Sequence, residues 1–251
     1  MKHLVLIREF RPFSFFCVLA LILCAVTVAI VVHHSEETAS VKSGQPLRGK
    51  IIAVDAGHGG ADPGAVGVTG VVEKEINLIL AEKLKTQLEA KGAVVIMTRS
   101  ADRVFSDIKK EELEHRAELV KKSKAELFLS LQCNAVPNSE LHGAQTFYHP
   151  DSEQGKNLAE AIQKRFKTKL KNTDREALTL DSAYIMRLLD IPAVMVEVGF
   201  LSNPEEGALL KDDDYREKVI AAIYGGIYDY YKMKDTSPSW LPSIFDFDDT
   251  L

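Results

Sequence analysis

Apolar positions along this chain recur with two alternating spacings, and each change of spacing marks an element. Ile51 to Val54 is a short continuous apolar run that opens into a glycine-rich segment, the pattern of a strand buried on both faces that ends in a loop. From about Glu75 to Ala90 the apolar residues Ile76, Ile79, Leu80, Leu84 and Leu88 fall at helical spacing, and Gly92 ends the helix. Ala93 to Met97 predicts a second buried strand. Glu111 to Ser123 predicts a helix with Leu113, Ala117 and Val120 on one stripe, and Glu126 to Leu131 a third strand. Gly143 to Tyr148 reads as a strand, Ser152 to Leu170 as a helix, then a polar connection runs through Tyr184 to a strand at Ala193 to Val198. Helices near Pro204 to Leu210 and Asp213 to Tyr231 follow. Strands alternating with helices of this length predict a single α/β domain, a twisted and mostly parallel sheet flanked by helices. No internal repeat of solenoid period is visible.

Two ends depart from this pattern. Residues 12 to 32 are twenty-one positions without a charge, preceded by Lys2, Arg8 and Arg11. That is long enough to cross about 30 Å of hydrocarbon as a helix, so an N-terminal transmembrane helix and signal anchor is expected, with the following domain outside the cell membrane. Cleavage after a signal peptide is the competing reading, for which Thr38-Ala-Ser40 is a poor site. The expected layout is a basic segment and anchor over 1–34, a polar linker over 35–48, the domain over 49–232 and a flexible tail over 233–251. The tail carries Trp240, Leu241, Ile244, Phe245 and Phe247 among aspartates, the composition of a weakly packed end, with docking on the domain or on an accessory protein as the alternatives.

Charge and cysteine content narrow the partners. The first eleven residues sum to +2, which leaves −7 of the net −5 for the remainder. An acidic domain argues against nucleic acid as the partner, because phosphate binding needs a basic face. With Cys17 and Cys24 in the apolar segment, Cys133 is the one thiol left beyond it, so no internal disulfide is expected there and stability must come from the core.

The candidate chemistry begins at Asp55-Ala-Gly-His-Gly-Gly60. A buried strand that breaks into glycines carrying a histidine delivers a ligand to the carboxyl edge of a sheet. Zinc in a hydrolytic site takes about three His or Glu/Asp ligands and leaves room for water. Glu197 is preceded by five apolar residues, where an unpaired carboxylate would be costly unless it served a reaction or a hydrogen-bond partner. Glu73 stands just before the first helix, where a carboxylate also suits the helix dipole or a cap. His58, Gln132 and Glu197 are all expected at strand carboxyl ends. Cys133, next to Gln132 on a strand, points to the opposite face and reads as a core residue.

Several blocks in order carry a resemblance: Asp55 to Gly60, Glu73-Lys-Glu75, Met97-Thr-Arg99, Leu129-Ser-Leu-Gln-Cys-Asn-Ala135, Gly143-Ala-Gln-Thr-Phe-Tyr148 and Pro192 to Pro204. Over about Gly49 to Tyr231 the chain resembles the zinc-dependent N-acetylmuramoyl-L-alanine amidases of bacterial cell walls. It looks most like the germination-specific amidases that act on spore cortex peptidoglycan. The resemblance implies a Zn²⁺ cofactor held by His58 and Glu73, and a substrate made of a peptidoglycan glycan strand with its stem peptide. It implies Glu197 as the catalytic glutamate, which takes a proton from the attacking water and passes it to the leaving L-alanine nitrogen. Arg99, Arg116, Arg175 and Arg187 match arginines of the resemblance, which implies that they hold stem carboxylates or order loops, with ordinary ion pairing the equal alternative. One position departs from the pattern. Gln132 stands where the family has a second ligand histidine, and an amide oxygen is a weaker zinc ligand than imidazole. The alternative to an amidase is therefore a zinc-deficient, non-catalytic relative that binds peptidoglycan or regulates another enzyme.

Overall fold

The computed structural model describes residue 18, residues 21–30 and residues 45–236. The transmembrane helix expected over residues 12–32 is not borne out: among the described residues no helix is long and apolar enough to cross a membrane. Helix is described at residue 18 and over residues 21–30. The rest of that expected span, residues 1–11, residues 33–34, residues 35–44 of the expected linker and residues 237–251 of the tail lie outside the described residues.

From Pro46 onward the chain forms one packed unit. Its strands are β1 (Ile51–Ala56), β2 (Val94–Met97), β3 (Leu127–Asn134), β4 (Gln145–Tyr148), β5 (Leu178–Thr179) and β6 (Ala193–Phe200). Its helices are α1 (Glu73–Glu89), α2 (Lys109–Ser123), α3 (Glu153–Arg165, continued by a wider turn over Phe166–Leu170), α4 (Tyr184–Arg187), α5 (Pro204–Leu209) and α6 (Asp213–Thr236). The strands form one sheet in the order β2-β1-β3-β6-β4-β5. β2, β1, β3 and β6 run parallel, β4 pairs antiparallel with β6, and β5 follows β4 in parallel. The expected α/β sheet flanked by helices is present, with the mixed edge β4-β5 added.

Side-chain parity divides the core into two layers, because neighbouring residues of a strand face opposite sides. Ile52, Val54 and Ala56 of β1, Leu127, Leu129, Leu131 and Cys133 of β3, and Val194, Val196 and Val198 of β6 pack with α1, α3 and α6. Ala53, Phe128 and Ala193 pack on the other face with Ala117 and Val120 of α2 and with Ile185 and Met186 of α4. The chain leaves β1 toward β2 and returns to place β3 on the other side of β1, so a crevice opens at the carboxyl ends of β1 and β3.

The two short elements β5 and α4 fall in the stretch expected to be a polar connection, since two and four residues are too few to show a period. β3 and β6 run farther than expected. Gln132 pairs in register with Glu197, and the ladder continues through a register shift to Asn134 and Phe200. Gln132 and Glu197 therefore lie within strands and not at their ends, and their direction is set by parity.

Candidate active site

Asp55, Ser130, Gln132 and Glu197 share parity with Ala53, Phe128 and Ala193, and so rise from the sheet on the α2 side. His58 joins them from the loop after β1 and Glu73 from the first residue of α1. All six border one cleft of about 630 Å³, walled by Val104, Ser106 and Leu113 on one side and Leu180, Ser182 and Tyr184 on the other.

His58 adopts a left-handed backbone (φ 60°), unusual for a residue with a side chain, within a turn that the flanking glycines make feasible. Its Nε2 lies 3.3 Å from Glu73 Oε2, and its Nδ1 lies 2.8 Å from Asp62 Oδ2. Burial works to lower the His58 pKa, yet hydrogen bonds and charge from Glu73 and Asp62 outweigh it and hold the imidazole above its ordinary range. Burial would raise Glu73, but the bond to His58 draws it below the usual carboxylate range. Glu73 is further fixed by the amides of Ala65 (2.8 Å) and Cys133 (3.0 Å). Gly64 passes so close that a Cβ there would lie 2.5 Å from Glu73 Oε2 and 2.8 Å from His58 Cδ2. The loop from Gly59 to Gly70 thus shapes the wall between His58 and Glu73.

Glu197 is the strongly perturbed acid. Burial first, and then the negative charge of Glu73, push its pKa from 4.5 to about 8, with His58 offsetting in part. In register it stands between two neutral amides, Gln132 on β3 and Gln145 on β4. A carboxyl group so placed exchanges its proton near neutral pH, as a general acid–base must.

Donor chemistry tests the expected cation. An imidazole whose Nδ1 is held by a carboxylate presents Nε2 outward, the arrangement found around ligand histidines. Glu73 adds a carboxylate at the same point, so His58 and Glu73 fit a zinc ion. Gln132 points elsewhere: its Nε2 donates to Ser130 Oγ at 3.0 Å and its Oε1 accepts from Asn77 Nδ2 at 3.4 Å. No group of three His, Cys, Asp or Glu side chains that could hold a metal ion occurs among the described residues.

Other candidates settle into different roles. Cys133 is buried in the opposite layer, where burial raises its pKa further. Arg99 and Arg116 are buried and bond to backbone carbonyls below the cleft, Arg175 bonds to His142 O, and Arg187 is exposed beside Tyr184. His115 stacks on Phe105, and His142 and His149 keep to local contacts away from the cleft. Sequence reasoning missed Asp62, Asn77 and Ser130. Each had a spacing that could have found it: Asp62 four residues after His58, Asn77 one helical turn after Glu73, and Ser130 two residues before Gln132 on the same strand face.

The model of the N-acetylmuramoyl-L-alanine amidase family matches residues 52–229. The germination-specific N-acetylmuramoyl-L-alanine amidase of Bacillus subtilis (strain 168) is 40% identical over 201 residues, covering 77% of this chain and 84% of that protein. Among solved structures, the CwlD amidase from Clostridioides difficile, determined in complex with the GerS lipoprotein, superposes with a TM-score of 0.71 at 39% identity. The match covers 73% of this chain and 99% of CwlD. The catalytic domain of CwlV from Bacillus (Paenibacillus) polymyxa var. colistinus gives 0.65 at 34% identity, covering 72% and 97%.

Proposed function

The chain belongs to the N-acetylmuramoyl-L-alanine amidase family, and from that premise we propose that His58, Glu73 and Glu197 form its catalytic centre, with zinc as the cofactor. The reaction is hydrolysis of the amide between N-acetylmuramic acid and L-alanine in peptidoglycan. Identity with the germination-specific enzyme supports spore cortex as the setting, where removing stem peptides prepares muramic acid for lactam formation. A cell-wall substrate puts the work outside the cytoplasm. Likeness to CwlD, solved with GerS, supports an accessory protein for this chain as well.

Zinc held by His58 and Glu73 would supply Lewis acidity to the amide carbonyl. The protein's own groups carry the proton. Glu197 accepts a proton from the attacking water in its ionised form as the new C–O bond forms, and a pKa raised to about 8 leaves that form within reach near neutral pH. It returns that proton to the alanine nitrogen as the C–N bond breaks, which leaves an amine and a lactyl carboxylic acid, whose proton then passes to the amine. Asp62 keeps the proton of His58 on Nδ1 and so keeps Nε2 available. The observation that carries this reading is the shared cleft, in which the one acid poised near neutrality stands beside the His58–Glu73 pair.

Glu197→Gln preserves shape and removes the proton carrier, so hydrolysis of purified peptidoglycan should slow by about 10²- to 10⁴-fold. New amino-terminal alanine is the readout. An undiminished rate in this variant would remove Glu197 from the mechanism. The alternative, a peptidoglycan-binding relative without catalysis, draws on the inward-turned amide of Gln132. In the same assay it predicts that the unmutated, zinc-supplied protein sediments with peptidoglycan yet releases no alanine amine.

A further inference from the structure

Part of the cleft lining is a polar cluster that the proposed chemistry does not use. Arg116 of α2 is only 2% exposed, and so is Asp55. Their side chains meet at 3.0 Å, and Arg116 Nε donates to Glu112 Oε1 at 2.7 Å. Removing a guanidinium and two carboxylates from water is costly, and an ion pair alone offsets that cost poorly. The remaining donors show where the cluster is directed. Arg116 Nη1 donates to Ala56 O (3.0 Å) and Nη2 to His58 O (2.8 Å), the carbonyls that bracket the turn of the left-handed His58. Arg99 adds bonds to Ala56 O (2.8 Å) and Gly57 O (3.0 Å).

The same carboxylates reach the other parts of the cleft. Asp55 Oδ2 accepts from Ser130 Oγ at 2.6 Å, and Ser130 Oγ accepts from Gln132 Nε2 at 3.0 Å. Thr98 Oγ1 occupies the other oxygen of Asp55 at 2.6 Å. Glu112 Oε2 accepts from the amides of Phe105 (2.7 Å) and Ser106 (3.1 Å), in the segment that walls the cleft.

We infer that Arg116, with Asp55 and Glu112, is a positioning residue that sets the His58 turn, the Gln132 rotamer and the Phe105–Ser106 wall together. Its planar fork serves carbonyl and carboxylate acceptors in fixed directions, which a lysine ammonium cannot reproduce. The proposal rests on His58 being a working residue of the cleft. Its first readout, however, requires neither zinc nor activity.

The test is Arg116→Lys in the full chain, with Glu112→Gln as the milder variant should the first not fold, and Arg165→Met as a distant control. Arg165 pairs with Asp229 on the far helices. Amide hydrogen exchange of the metal-free proteins is read at Gly57 and Gly59, whose N–H groups are bonded to Leu131 O and Asp62 O. Exchange there should quicken by about tenfold or more in the Arg116 or Glu112 variant, and not in the Arg165 control. Zinc affinity and kcat on peptidoglycan should then fall by about 10- to 100-fold with KM little changed, the usual effect of losing a group that orients a ligand. Unchanged exchange at Gly57 and Gly59, or a loss matched by the Arg165 control, would overturn the positioning role and leave the pair a general stabiliser. If exchange quickens while the unmutated protein neither binds zinc nor cleaves, the functional reading fails and the clamp on the turn stands.

Discussion

At the scale of single residues, the site is a set of side chains held away from their ordinary chemistry. His58 has a backbone that most residues avoid and an imidazole pinned at both nitrogens. Glu197 holds a proton that a solvated glutamate would release, because burial and the nearby Glu73 charge disfavour its ionised form. The folded pKa, about 8, lies above the ordinary 4.5, so the folded chain binds a proton that the unfolded chain gives up between those values. The associated stability is fully present below about 4.5 and is lost as pH rises through about 8. Glu197→Gln never carries the charge. In urea titrations of the metal-free proteins, the variant should gain stability relative to its parent as pH rises across that window. A difference that does not change with pH would mean that Glu197 ionises normally in the folded state.

At the scale of elements, the cleft depends on strand ends and helix starts being fixed by side chains. α5 is the clearest case. Asn203 caps it, accepting from the amides of Glu205 and Glu206 at 3.0 Å each, and its Nδ2 donates to Ser139 O at 2.9 Å. The cap in turn places Glu206, whose Oε2 accepts from Phe200 N (2.7 Å) at the end of β6 and from Gly143 N (3.0 Å) just before β4. One asparagine thus ties a helix start to β6, which carries Glu197, and to β4 beside it. Asn203→Ala should cost about 1 to 2 kcal/mol of unfolding free energy, the usual loss for a cap with one added bond. Chemical denaturation measures it, and a cost near zero would show that α5 is held by packing alone.

At the scale of the whole molecule, the unit that begins at Pro46 has its own two-layered core, with the sheet buried between α1, α3 and α6 on one face and α2 and α4 on the other. A unit that buries both sheet faces within itself holds the core it needs to fold. A fragment spanning residues 46–236 should therefore unfold in a single transition at the midpoint of the full chain, and should keep its specific activity on peptidoglycan. A lowered midpoint would assign stabilising contacts to the residues left out.

The amino-acid sequence alone determined the α/β alternation, the apolar stripes of α1 and α2, and the inward parity of Cys133, because periods of 3.6 and 2 are local properties of the chain. It also marked His58, Glu73, Gln132 and Glu197 through local motifs. Hydrophobicity misled at residues 12–32, where an uninterrupted apolar run suggested a membrane crossing that the described helix does not support. It was silent on β5 and α4, which are too short to show a period. Only the tertiary structure decided that Gln132 and Glu197 are neighbours in register, that the Gln132 amide turns toward Ser130, and that Arg116 reaches the His58 turn from 58 residues away. Such contacts depend on which strands pair and at what register. That is settled by the packing of the whole sheet, and no window of local sequence contains it.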